Sequence, residues 1–209
     1  MKKALVFLLA VLLVTAVIVA GVFIFLRAQD KAAYDAELAA YGIAFEDEVL
    51  AASRAYEVPP DLILSVIRTE SGFEPQAKSG AGAVGLMQLM PESYEWFCFR
   101  QGIEYDVTRL TDPAVNIDAG VWMLAYLYER YENWDTALAA YNAGFGRVDQ
   151  WLKDPAITQN GNLVNIPIDE TAAYVRVVNS TKAHYDALYT FGTDITVIPY
   201  ETYRERKGN

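Results

Sequence analysis

Glu70 is the residue with the clearest chemical potential in this chain. It closes the run Val58-Pro59-Pro60-Asp61-Leu62-Ile63-Leu64-Ser65-Val66-Ile67-Arg68-Thr69-Glu70, which opens with prolines tolerated in a first helical turn and then repeats apolar residues at helical spacing. Ile63, Ile67 and Glu70 stand at i, i+4 and i+7, so the acid falls on the apolar stripe, near the negative end of the helix dipole and just before Gly72 ends the helix. Burial and dipole both disfavour the carboxylate and raise its pKa. A carboxylic acid that keeps its proton near neutral pH is what general-acid catalysis requires.

Other polar groups gather downstream. Gln88 lies in the otherwise apolar stretch Gly85-Leu86-Met87-Gln88-Leu89-Met90-Pro91. An amide there is costly to bury unpaired, so it either bonds backbone or faces a polar ligand. Tyr141 and Asn142 stand just before Gly144 at a helix end, where a hydroxyl and an amide can reach the acid or a ligand. Glu170 begins another helix, a position where the dipole favours an acid without further reason. Ser71 is either a helix-end hydroxyl or a positioner of Glu70.

Several chemistries are excluded. A nucleophilic serine needs an adjacent base, but the single histidine, His184, sits in a late helix and no G-x-S-x-G elbow is present. One histidine and one cysteine, Cys98, also exclude a histidine-based metal cluster and an intramolecular disulfide. Gly80-Ala81-Gly82-Ala83-Val84-Gly85 matches G-x-G-x-x-G, yet a helix precedes it and Pro91 interrupts the run that follows, whereas a dinucleotide site needs a strand before and a long helix after.

The elements that must position these groups are helical. Residues 43–56 read as a first helix, followed by the Glu70 helix. A short aromatic helix starts at Pro91-Glu92-Ser93 and ends near Gly102. Asp112-Pro113 is an N-cap with proline at N1, opening a helix through Tyr131; Asn133 caps the next, residues 134–143; residues 171–189 form the last long one. Only residues 195–200 suggest a short extended piece. The charged stretch from Glu201 reads as a frayed tail.

Glu70-Ser71, Gly85-Leu86-Met87-Gln88 with Pro91, Ala140-Tyr141-Asn142-Ala143-Gly144, and Glu170-Thr171 before Tyr174-Val175 resemble the four signature segments of the soluble lytic transglycosylase (SLT) catalytic domain, in that family's order and spacing. The similarity runs from about residue 43 to 189. It implies an all-α, lysozyme-like domain that cleaves peptidoglycan glycan strands between N-acetylmuramic acid (MurNAc) and N-acetylglucosamine (GlcNAc). It makes Glu70 the single acid and base, and carries Ser79, Gln88, Met90, Tyr141, Asn142 and Glu170 over as substrate-binding residues. In the family mechanism the muramic acetamido group assists and a 1,6-anhydro ring closes without water, and no metal or cofactor is implied. Ala172 departs from the arginine common at its position, and Glu74 from the usual asparagine. Hydrolysing glycosidases generally use two carboxylates roughly 5 to 9.5 Å apart, and here only Glu70 has a compelling setting. Two other readings stay open: a hydrolytic muramidase of goose-type lysozyme-like fold, with Glu74 or Glu170 positioning water, and an inactive glycan-binding scaffold.

Residues 4–26 form 23 consecutive uncharged positions with Thr15 the only polar side chain. As a helix this spans roughly 34 Å, enough to cross a bilayer. A cleaved signal peptide has a shorter apolar region and a small-x-small site, which Ile18-Val19-Ala20 matches poorly. The expected organisation is a transmembrane anchor at 1–27, a helical juxtamembrane spacer at 28–42, the catalytic domain at 43–190 and a C-terminal tail at 191–209. The domain would lie on the extracytoplasmic side, where peptidoglycan is. Of 17 Lys and Arg, three (Lys2, Lys3 and Arg27) flank the apolar segment, and all 27 Asp and Glu follow it, leaving the rest at −13. Nucleic-acid binding needs a cationic face, so nucleic acid is no partner.

Overall fold

The computed structural model describes residues 2–208. These fall into two compact units, one formed by residues up to Gly42 together with those from Pro199, the other by residues 43–198.

In the first unit, helix α1 (Lys2–Ala40) runs unbroken through the apolar segment. Its most apolar stretch has a mean hydropathy of 3.1 and buries none of its residues, so α1 is long and apolar enough to cross a membrane. Its polar end carries a second helix, α9 (Tyr200–Lys207), where the sequence suggests a frayed tail. Charges and rings that look merely solvated in the sequence find partners 160 or more residues away. The Arg27 guanidinium donates to both carboxylate oxygens of Glu201 at 2.8 Å, and the Tyr203 hydroxyl donates to the Glu37 carboxylate at 2.5 Å. Tyr34 is buried beneath Tyr200 and Tyr203, with ring centroids 5.7 and 4.9 Å away.

The second unit is built around helix α3 (Pro60–Ser71), with Leu62, Ile63, Leu64, Val66 and Ile67 all at 1% exposure or less. It packs against α8 (Asp169–Leu188), a helix whose Val175, Val178 and Tyr185 are buried. Helix α2 (Glu46–Tyr56) starts three residues later than the apolar pattern suggests, because Phe45 adopts the left-handed region, φ 60°. Helix α4 (Pro91–Gln101) ends at Gly102, φ 67°. A 3₁₀ turn (Val107–Thr111) leads into α5 (Pro113–Tyr131), capped by Asp112, whose carboxylate accepts from the Ala114 N–H. Asn133 caps α6 (Trp134–Ala143) by accepting from the Thr136 N–H. Gly144 then turns the chain into α7 (Phe145–Trp151), an element the sequence reading omits. Two antiparallel hairpins complete the unit: β1 (Thr158–Gln159) with β2 (Asn162–Leu163), and β3 (Tyr189–Phe191) with β4 (Ile195–Val197), the latter at the extended piece expected near residue 195.

Candidate active site

Glu70 lies in the last turn of α3, one residue inside the end set by Gly72, whose N–H returns to the Arg68 carbonyl at 3.0 Å with φ 59°. The apolar pattern that buries α3 therefore carries an acid into the interior. Burial pushes the Glu70 carboxyl up to about 7, and the Tyr174 hydroxyl beside it pulls in the opposite direction. That hydroxyl is buried and lacks a hydrogen-bond partner of good geometry. Tyr141 and Tyr174 are themselves held well above their ordinary pKa, by burial first and by the charge of Glu70 second. One acid and two phenols from α3, α6 and α8 thus form a cluster in which ionising any member penalises the others.

The loop after α3 is fastened to this cluster. Val84 and Leu89 exchange backbone hydrogen bonds at 2.9 and 3.0 Å, with Gly85 (φ 85°) and Gln88 (φ 48°) turning the chain between them. The Tyr141 hydroxyl donates to the Met87 carbonyl at 2.8 Å. The Ser71 hydroxyl lies 2.8 Å from the Leu86 carbonyl and 3.0 Å from that of Ile67, so it ties the end of α3 to the loop.

Of the residues expected to bind substrate, Gln88, Met90 and Tyr141 share the wall of one cleft of about 520 Å³, with Trp96, Met123, Leu127 and Phe145. This is the size and apolar lining of a ligand pocket with few polar groups. Glu70 is not in that wall and meets the cleft through Tyr141. The Gln88 amide donates to the Ala77 and Gly85 carbonyls at 3.2 and 2.9 Å, which is the backbone-bonding role of the two the sequence leaves open. Met90, 37% exposed, lines the cleft. Asn142 is exposed, and its Oδ1 accepts from the Thr171 hydroxyl at 2.8 Å, joining α6 to the first turn of α8. Glu170 sits in that turn, exposed and outside the cleft wall. Ser79 is also outside it. Its hydroxyl accepts from the Ala83 N–H at 3.0 Å and closes the tip of the loop. The acid in the cleft wall is Glu92, exposed in the first turn of α4. A second cavity of about 590 Å³, between α2, α4 and α5, contains Asp47, Glu48, Asp118 and Arg109 but none of the expected site residues.

Tyr174 is a neighbour of Glu70 that the sequence offers only as a motif match. A signal was present: it follows Glu170 by four positions, so it shares a helix face with the motif's acid. What sequence cannot show is that α8 crosses α3 at Glu70.

The profile of the family described as Transglycosylase SLT domain matches residues 47–163. The soluble lytic murein transglycosylase of Escherichia coli K12 is 34% identical over 150 residues, 69% of this chain and 23% of that protein. Membrane-bound lytic murein transglycosylase C of Salmonella paratyphi B is 36% identical over 159 residues, covering 64% of this chain and 44% of that protein. The crystal structure of the 70 kDa soluble lytic transglycosylase of Escherichia coli superposes with a TM-score of 0.65 at 28% identity, over 85% of this chain and 27% of that one. The chain therefore spans less than half the length of each of these relatives.

Proposed function

Because the chain belongs to the Transglycosylase SLT domain family, we propose that residues 43–198 cleave the β-1,4 bond between MurNAc and GlcNAc in peptidoglycan glycan strands, with Glu70 as the only acid and base. The observation that supports this reading is the setting of Glu70, a carboxyl whose pKa burial raises to about 7, flanked by two tyrosines. At neutral pH a substantial fraction of it carries a proton to donate, and its conjugate base is strong enough to take one back.

In the proposed reaction Glu70 protonates the glycosidic oxygen as the bond to the muramic C1 breaks, releasing the GlcNAc-bearing fragment. The muramic acetamido oxygen attacks C1 and holds the developing positive charge. The Glu70 carboxylate then removes the proton from the C6 hydroxyl, whose oxygen displaces the acetamido group and closes the 1,6-anhydro ring. Glu70 ends protonated, and no water is consumed. Tyr141 lines the cleft with its hydroxyl held on the Met87 carbonyl, which supports a role for its side chain in positioning the sugar beside Glu70, while Met90 and Trp96 give the sugar ring apolar surface to rest on. Helix α1 would anchor the protein in the membrane with the catalytic unit on the extracytoplasmic side.

Mass analysis of the products from purified sacculi tests the reaction. Anhydro-muropeptides, one water lighter than hydrolysed ones, are expected from the wild type and absent with Glu70→Gln. Reducing-end products from the wild type would replace this reaction with a hydrolytic one. For topology, added protease should degrade the catalytic unit in intact protoplasts while sparing cytoplasmic proteins. Full protection until lysis would overturn the orientation.

A further inference from the structure

Three helices meet at one loop beside the candidate acid, and Asn116 carries the loop's hydrogen bonds to α5. Asn116 is 1% exposed. Its Oδ1 accepts from the Met87 N–H at 2.7 Å, and its Nδ2 donates to the carbonyls of Val84 at 2.9 Å and Leu110 at 2.8 Å. One N–H and two carbonyls as partners admit only this orientation of the amide. The backbone around it is shaped to the contact. A Cβ at Gly85 would collide with the Asn116 side chain and the Leu110 carbonyl, and one at Gly120, a turn further along α5, would collide with Met87. Helix α5 thus presents a slot into which residues 84–87 are laid.

The same residues leave the slot bound to the site. The Leu86 carbonyl meets the hydroxyl of Ser71, next to Glu70, and the Met87 carbonyl accepts from Tyr141. Met87 is therefore gripped through its N–H by α5 and through its C=O by α6, with Asn116 and Tyr141 as the two jaws.

We propose that Asn116 is a positioning residue for the reaction: by fixing Met87 it fixes the carbonyl that holds the Tyr141 hydroxyl beside Glu70. This rests on the reading of Glu70 as the acid. Displacing Met87 moves Tyr141 and opens the acid to water. A misplacement on the order of 1 Å in a reacting constellation can cost about 10²-fold in rate.

Asn116→Asp in the full chain tests it, because the carboxylate keeps the shape and the acceptor but faces two carbonyl oxygens without a donor. The expected result is a fall in kcat on sacculi of about tenfold or more with KM within about twofold, the pattern of lost transition-state positioning. The Glu70 carboxyl, followed by ¹³C NMR, should titrate at lower pH than in the wild type. The double variant with Tyr141→Phe should lose no more than the worse single one, since both act through Met87. Multiplicative losses, or an unchanged Glu70 titration in folded Asn116→Asp protein, overturn the proposal. Gly120→Ala guards against a variant that fails to fold: it keeps every polar bond yet presses on Met87, and the same signature is expected. Wild-type kcat and titration in that protein would also overturn the proposal. The titration needs no substrate, so a protein that shows the shift but cleaves no glycan retains the positioning role and loses only the proposed function.

Discussion

Helix α3 carries a carboxyl group near each end, Asp61 buried and Glu70 half-buried, and the two surroundings differ in kind. Asp61, in the first turn and 5% exposed, forms an ion pair with the Lys182 ammonium on α8. Burial and a hydrogen bond with Asp186 raise its pKa, and Lys182 draws it back down. Glu70, in the last turn, has the phenols of Tyr141 and Tyr174 as its electrostatic neighbours, and burial carries it to about 7. Helix polarity adds to the contrast, favouring negative charge at the Asp61 end and disfavouring it at the Glu70 end. One end keeps a compensated charge that clamps two helices. The other keeps a proton that can leave.

The contrast breaks most visibly at Glu70 itself. Glu70→Gln preserves volume but cannot donate a catalytic proton, and turnover of sacculi should fall by about 10² to 10⁴-fold with folding intact. Retention of more than a tenth of the wild-type rate would reassign the acid.

The same variant should be the more stable protein at high pH. The folded pKa of about 7 lies above the ordinary value of 4.5, so the folded state holds a proton that the unfolded state releases. That contribution is complete below pH 4.5 and is lost as pH rises through 7. Glutamine does not titrate, so its advantage over the wild type should grow across this window to about 3 kcal/mol. Thermal melts at pH 4 and pH 8 check it, and a difference independent of pH would refute the burial argument.

Breaking the other end should damage stability rather than chemistry. Lys182→Met leaves Asp61 buried without its cation. Because the lysine side chain is 32% exposed, the loss should fall short of the fully buried case, at about 2 kcal/mol. Specific activity of the folded fraction should be unchanged, and an equal fall in both quantities would erase the distinction between the two acids. The smallest effect is expected from Tyr174→Phe. Its hydroxyl lowers the Glu70 pKa, so removing it should shift the alkaline limb of the pH–rate profile upward. A downward shift would contradict this assignment.

Local chemistry made much of this legible. Asp112 and Asn133 were readable as caps, Pro60 and Pro91 as first-turn residues, and Gly72 as a helix end, because each acts within a turn of its own position. Glu70 was readable because one helical stripe carries both the apolar residues and the acid. What escaped depends on distant partners. The pairing of α9 with α1 needs Arg27 to find Glu201, and Tyr174 matters only because α8 crosses α3. Gln88 illustrates the same limit: its amide is spent on Ala77, eleven residues back, and on Gly85.

The clasp between α1 and α9 bears on what a single cut in the chain would do. Residues 43–198 are joined covalently to α1 at one end and to α9 at the other, and α9 is fastened to α1 through Glu201, Tyr203 and the rings over Tyr34. A protease that nicks an exposed loop within residues 43–198 would therefore leave both fragments moored to the same helix, one by peptide bonds and the other by the clasp. The nicked protein should therefore stay whole through both the packing of α3 against α8 and the clasp, and Arg27→Ala with Tyr203→Phe should lower the denaturant concentration at which the C-terminal fragment is shed.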